Sequence, residues 1–304
     1  MKCFLTSKKE QMKELDFEKN RFEVLTLEEL GETYRELNAG VEQAHGLIHY
    51  DFINMICELV SKAGCEVEVD TIFAANNKSV YRPGVSRIRD LIPEFGPHSL
   101  KVHCLRRVYT TLKTNWEIEA GMPVRIAIAH HQAGIEVGVG PYVDICRNLT
   151  ILHARHRFAT FQNGMGKRMA LTGEGIRFVM DGFGKLLEER EAYSHDMQQD
   201  MKRLREASFT QEEYYQMVGR LVQDRVLADN KVAAHAEQEA VYAMTQKQIN
   251  CVVLNNLNAG YPCNGWEMLQ RLNTEYKADR MEIPNILRQN VKLSEMVLRF
   301  INEK

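Results

Sequence analysis

The stretch Val124-Arg125-Ile126-Ala127-Ile128-Ala129-His130 decides the reading of this chain. Its side chains alternate with a period of two, which is how successive residues of a strand project to opposite faces. Gln132-Ala133-Gly134 then supplies a turn, and Ile135–Val139 resumes the alternation, so a β-hairpin is the economical reading. Further strand candidates flank it at 101–113, 134–143, 145–153 and 155–161. Connections this short exclude parallel pairing, which needs crossovers of a dozen residues, and predict an antiparallel meander.

Outward from the meander the pattern turns helical on both sides. Before it, Thr26-Leu27-Glu28-Glu29 has capping-box form and predicts a short helix start. Ile48, Phe52, Ile53, Ile56, Leu59 and Val60 then lie on one helical stripe, which Lys62-Ala63-Gly64 terminates. Cys65 to Asp70 alternates as a half-buried strand, and residues 8–24 read as a loose, charged lead-in. After it, Ile176, Val179, Phe183, Leu187, Met197, Met201 and Leu204 support a long helix with a break near 191–195. Thr210-Gln211-Glu212-Glu213 and Thr245-Gln246-Lys247-Gln248 resemble capping boxes for helices over 210–226 and 231–257, and further helices are expected over 265–277 and 284–302. The fold class is therefore α+β: an antiparallel meander packed with helices, followed by a mainly helical C-terminal half. The expected organisation is an acidic helical lead-in over 1–46, an α+β core over 47–170 and a helical region over 171–304.

The 304 residues are 44% hydrophobic and 26% charged, a composition that excludes disorder for most of the chain. No apolar run reaches the roughly 18 residues that a bilayer span needs, so no membrane association is expected. The first residues lack an apolar signal core, and seven scattered cysteines contain no C-x-x-C pair, which together point to reduced thiols in the cytoplasm.

The net charge of −2 hides a segregation along the chain. Residues 1–77 sum to −7, residues 78–170 to +8 and residues 171–304 to −3. A basic middle segment is either a footprint for a polyanion or a surface neutralised internally by its acidic flanks. For the first reading, Arg106, Arg107, Arg125, Arg147, Arg155 and Arg157 lie on predicted strands, and Lys167-Arg168 follow the sheet. These are the candidate phosphate contacts, with Tyr109 and Phe158 as stacking platforms for single-stranded nucleic acid.

No catalytic, metal or cofactor site emerges. Gly164-Met165-Gly166-Lys167-Arg168 fails as a phosphate loop, because Phe161 stands where a glycine is required and Arg168 where a Ser or Thr is required. His130-His131 and His153-x-x-His156 are placed on strands, where adjacent residues and residues three apart face opposite sides and do not converge on one ion. A binding protein rather than an enzyme is expected.

Val124–Ile151, with His131-Gln132-Ala133-Gly134, Gly138–Tyr142 and Ile145-Cys146-Arg147-Asn148-Leu149, resembles the hallmark of the domain-of-unknown-function 932 family, found in phage- and plasmid-like proteins. Leu149 stands where that family's turn has a glycine. Phe209–Arg220, with Gln248-Ile249-Asn250 and Trp266, is similar to the C-terminal half of related Bacteroides-type proteins of unknown function. The order of helix 48–63, strand at Cys65, meander and long helix also resembles the core of phage single-strand annealing proteins, which oligomerise and hold single-stranded DNA in a basic groove. These resemblances imply a phage or mobile-element protein that forms a homo-oligomer. They leave two partners open, single-stranded DNA or a host defence protein that the chain binds and blocks.

Overall fold

The computed structural model describes residues 22–37, 49–75, 107–131, 134–143, 148–161, 173–232, 260, 262, 264–274 and 283–304. Its strands are β1 (Phe22–Leu25), β2 (Val67–Val69), β3 (Ile72–Ala75), β4 (Arg107–Glu119), β5 (Met122–His131), β6 (Gly134–Val143), β7 (Asn148–Leu149) and β8 (Arg157–Phe161). Its helices are α1 (Leu27–Leu37), α2 (His49–Lys62), α3 (Gly173–Glu188), α4 (Arg190–Glu206), α5 (Gln211–Val232), α6 (Gly265–Asn273) and α7 (Ile283–Asn302), with a 3-10 turn at Ala154–His156. The class is α+β, as the alternation and the helical stripes require.

All strand pairs are antiparallel and form one eight-stranded sheet in the order β1-β3-β4-β5-β6-β7, with β2 beside β4 and β8 beside β6. The hairpin read from Val124–His131 is its centre: Ile126 faces Val139, Ile128 faces Val137 and His131 faces Gly134 across β5 and β6. Glu119 pairs with Met122 around Gly121, whose φ of 78° is the left-handed conformation that glycine adopts without steric cost.

Three strand expectations are corrected. The strand expected over 101–113 continues to Glu119 through register shifts after Lys113, which hide the alternation beyond that point. Of 145–153, the described residues 148–153 contribute the two residues of β7, and 155–161 begins in the 3-10 turn rather than in a strand. The lead-in 8–24 and the stretch after Asp70 also contain β1 and β3, which pair with one another over their whole length.

The capping boxes take shape as expected. Glu29 N–H donates to Thr26 Oγ1 at 3.1 Å while Thr26 N–H donates to Glu29 Oε2 at 2.9 Å, and Thr210 and Glu213 repeat the exchange at 3.2 and 2.7 Å. Gly64, at φ 79°, ends α2. The break in the long helix falls at Glu189, between α3 and α4. The Thr245 capping box and most of the helix expected over 231–257 lie outside the described residues.

The two sheet faces bury different chemistry. On one, Val108, Leu112, Ile126, Ile128, Ile135, Val137 and Val139 join Phe52, Ile53 and Ile56 of α2, Val179 and Phe183 of α3, and Met197 and Met201 of α4 in the main core. That core draws on all three stretches of the chain, from Leu25 to Phe300. On the other face a smaller cluster gathers Tyr109, Ala127, Ala129, Tyr142, Leu149 and Ile151 under Ile286, Leu287 and Val291 of α7. Gly138 and Gly140 let this second layer approach: a Cβ at Gly138 would overlap Ile151, and one at Gly140 would overlap the Thr150 backbone.

Candidate functional site

The second sheet face brings together three of the residues that the sequence marks for nucleic acid. Tyr109 pairs opposite Ala129, Arg125 stands four residues before Ala129 on the same face, and Arg157 pairs opposite Gly138. The convergence does not produce a free cationic track. Arg125 donates to Asp70 through Nη1, its side chain is 8% exposed, and its guanidinium carbon lies 3.5 Å from the centre of the Tyr142 ring. Arg157 donates from Nε to Glu136 Oε2 at 2.8 Å, with its side chain 16% exposed. Glu136 is fully buried and also meets His131 Nε2 at 3.3 Å. Lys113 pairs with Glu68 on this same face.

Charged groups are tolerated at such depth because each cation meets a carboxylate; an unpaired buried charge costs several kcal/mol, on the order of 3–5. The four cations of the middle segment whose side chains are described, Lys113, Arg125, Arg155 and Arg157, are thus bonded to carboxylates that come largely from its flanks. Asp70 and Glu68 belong to the acidic first 77 residues, and Asp196, which binds Arg155 at 2.8 Å, belongs to the last stretch. Arg155 keeps a half-exposed side chain, at 52%.

The two aromatic candidates are corrected as well. Tyr109 is buried within the second layer, and burial, reinforced by Tyr142 and opposed by Arg125, holds its phenol well above its usual pKa. Phe158 points to the opposite face, packed against Phe183 at 6.4 Å between ring centres, and is no platform beside the arginines. Arg106, Arg147, Lys167 and Arg168 lie outside the described residues. Arg107 pairs through its backbone with Ala75 and His131.

A second polar group surrounds the connection from β7 to β8. His153 Nε2 lies 2.6 Å from Asp200 Oδ2, and Arg203 Nη1 donates to Asp200 Oδ1 at 3.2 Å. Burial alone would raise the Asp200 carboxyl, but the hydrogen bond and charge of His153, with Arg203, hold it below its usual value. His156 is fully buried beside Tyr193, and neither of its ring nitrogens has a hydrogen-bond partner among the described residues. Burial first, then the neighbouring His153 and Arg155, push its pKa down to about 3, so it is a neutral imidazole.

His130 and His131 face opposite sides as the strand period requires. His130 contacts His49 at 2.8 Å between their Nδ1 atoms in the main core, an arrangement that needs one N–H and one lone pair. The strand placement expected for His153 and His156, with its opposite facing, is corrected. His153 precedes the 3-10 turn and His156 ends it; residues three apart eclipse there, and the two ring centres lie 5.5 Å apart. Among the described residues, no three His, Cys, Asp or Glu side chains stand where they could hold a metal ion.

An amide network lies behind β7, and no motif in the sequence points to it. Asn290 Oδ1 accepts from Ile151 N–H at 2.6 Å, and Asn290 Nδ2 donates to Leu149 O and Asn273 Oδ1 at 2.7 and 2.8 Å. Asn148 donates to Gln270 O, and Gln270 in turn to the Thr150 hydroxyl, so Asn148, at the family-like motif, ties the sheet to α6. These are structural bonds between distant segments. The signal in the sequence was an amide set in each of three apolar stretches, with no spacing to connect them.

Among the described residues, two concavities open on the surface. One, of roughly 290 Å³, lies between Trp116 and the Arg190, Ser194 and Gln198 side of α4. The other, of roughly 710 Å³, runs along α2 and is lined by Tyr50, Asp51, Met55, Cys57, Glu58 and Lys62. Burial pushes the Cys57 thiol up to about 11, so at neutral pH it stays protonated. No helix among the described residues is long and apolar enough to cross a membrane. Comparisons of the chain with family models, with curated proteins and with solved structures find no match in any of the three.

Proposed function

We propose that the protein works by binding another protein, as a mobile-element factor that engages a host assembly, and not by holding DNA along its sheet. The observation that carries this reading is the pairing of Lys113, Arg125, Arg155 and Arg157 with Glu68, Asp70, Asp196 and Glu136. Cations already bonded to carboxylates release few counterions on meeting a polyanion, and counterion release supplies most of non-specific nucleic-acid affinity. The acidic first stretch supports the same choice, since its excess charge suits a basic protein surface. The concavity along α2 belongs to that stretch. It presents Asp51 and Glu58 beside Tyr50 and Met55, and Glu58 meets Lys62 at 3.5 Å with both side chains exposed. Its matching partner is a basic segment with an apolar anchor.

Two measurements on the full chain decide between the readings. Titration of a single-stranded oligonucleotide at low ionic strength is expected to show weak binding with a shallow salt slope. A pull-down from host lysate is expected to recover a stable complex that the joint reversal Asp51→Lys and Glu58→Lys removes. Tight oligonucleotide binding whose salt slope flattens when Arg155, Lys167 and Arg168 are substituted together would overturn the proposal in favour of the polyanion reading.

A further inference from the structure

We infer that the outer edge of β8 joins two copies of this chain into a dimer with a continuous sheet. β8 pairs with β6 on one side, and among the described residues no strand pairs with its other side. Natural edge strands are guarded by lysines, prolines, bulges or a cover. Arg157-Phe158-Ala159-Thr160-Phe161 has no Lys or Pro, and its one charge is tied to Glu136. Every second residue of such an edge presents an N–H and a C=O outward.

Helix α3 shows what lies beside that edge. Gly175 and Gly182 are seven residues apart and share one line along the helix. A Cβ at Gly175 would come to 2.9 Å from the Thr160 hydroxyl, and one at Gly182 to 2.7 Å from the Phe158 ring, so this line rests on β8. At 100° per residue, Val179, Phe183 and Leu186 stand to one side of the line, in the core. Phe178, Glu174 and Lys185 stand to the other side, beyond the strand. Phe178 is 65% exposed, the most exposed large apolar side chain among the described residues.

The same geometry selects a second copy as the occupant. Ala159 lies midway between Thr160 and Phe158, and the point of α3 above it lies midway between Gly175 and Gly182, next to Phe178. A two-fold axis just outside the edge beside Ala159, perpendicular to the sheet, pairs β8 with its own copy in antiparallel register. It also sets Phe178 against the partner's Phe178 and Glu174 close to the partner's Lys185. α3 packs on β6 as well as on β8, so its axis sits inboard of the edge. Two such helices therefore have room for the roughly 8–10 Å axial separation that helix packing needs. The contact is isologous and closes at two copies. It is independent of which external partner the protein binds.

Sedimentation velocity on the full chain is the test. A dimer is expected at about 50 µM, a range that a modest interface reaches. Phe178→Glu, at an exposed position, is expected to weaken it at least about tenfold without moving the melting temperature. Lys185→Glu is expected to weaken it less, and adding Glu174→Lys is expected to restore it. Amide exchange at 158–160 in the unmodified chain is expected to slow as concentration rises, a readout that needs no variant. A monomer at that concentration, a dimer indifferent to Phe178→Glu, an open-ended assembly, or unchanged exchange at 158–160 would each overturn the inference.

Discussion

The two faces of the central hairpin are equally buried and are built on opposite principles. One is a layer of Ile and Val against α2, α3 and α4; the other sets Ala127, Ala129, Gly138 and Gly140 between two charged groups, Asp70–Arg125 and His131–Glu136–Arg157. The apolar face gains stability from area removed from water, about 25 cal/mol per Å², and tolerates exchange among side chains of similar volume. The polar face gains little net free energy from its ion pairs, because desolvation offsets their attraction, but it penalises every unmatched group. The first face drives folding, and the second fixes which segments lie where.

The largest effect that separates these roles is expected at Glu136. Glu136→Ala removes the carboxylate from Arg157 and His131 inside the sheet and is expected to cost about 3–5 kcal/mol by urea unfolding. Replacing both members, Glu136→Leu with Arg157→Leu, is expected to recover most of that loss, since an apolar pair of similar volume avoids the desolvation cost. A double variant as unstable as the single one would mean that the charges do more than neutralise each other.

Next in size is the pH dependence of the polar connection between β7 and β8. His156 titrates near 6.5 when unfolded and at about 3 when folded. Between those values the unfolded chain binds the extra proton, so stability is full above pH 6.5 and falls as the solution is acidified toward pH 3. The loss is about 1.4 kcal/mol per pH unit, or roughly 2 kcal/mol by pH 5. Asp200, whose folded pKa lies below its usual 3.8, adds to the same loss only at lower pH. In His156→Leu the decline between pH 7 and pH 5 is expected to flatten. An unchanged slope in the variant would place the acid sensitivity elsewhere.

Asn290→Ala addresses the amide network and is expected to cost about 1–3 kcal/mol, because it takes the acceptor from the buried Ile151 N–H and a donor from Asn273 Oδ1, while the Leu149 carbonyl keeps its bond from Asn273 Nδ2. Amide exchange at Ile151 should rise with it. A loss confined to global stability, with Ile151 still protected, would show that water replaces the side chain.

What was legible in the sequence follows the same division. The hairpin from Val124 to Val143 and the caps at Thr26 and Thr210 were readable because their determinants are local: a period of two, and a hydroxyl three residues before a carboxylate. The small residues Ala127, Ala129, Gly138 and Gly140 belong to that alternation, and they mark a face covered closely by a second layer. β1 and β3 were not readable, since each has four residues and gains its pairing from a partner some fifty residues away. The ion pairs were hidden for the same reason. Asp70 meets Arg125 and Asp196 meets Arg155 only after folding, so a count of charge by segment shows the imbalance and not its cancellation. Strand periodicity does not place the histidines at 153 and 156, because the chain between them is a turn with a period of three.

The smallest effect tests whether locally readable features matter less to the whole than the buried faces do. Thr210 caps α5 and exchanges hydrogen bonds with Glu213, whose carboxylate also meets Lys304 at 2.7 Å. The bond to Lys304, then the Thr210 N–H, draws the Glu213 carboxyl below its usual pKa. Thr210→Ala removes one of the two reciprocal bonds at an exposed helix start and is expected to cost about 1 kcal/mol. Glu213→Gln keeps the neutral half of the box and loses the charge on Lys304, so it is expected to cost less, and only above the Glu213 pKa. The two costs should not add, because both variants open the same box. A Thr210→Ala cost equal to that of Asn290→Ala would mean that α5 is held by its first turn and not by Tyr214 and Met217 in the main core.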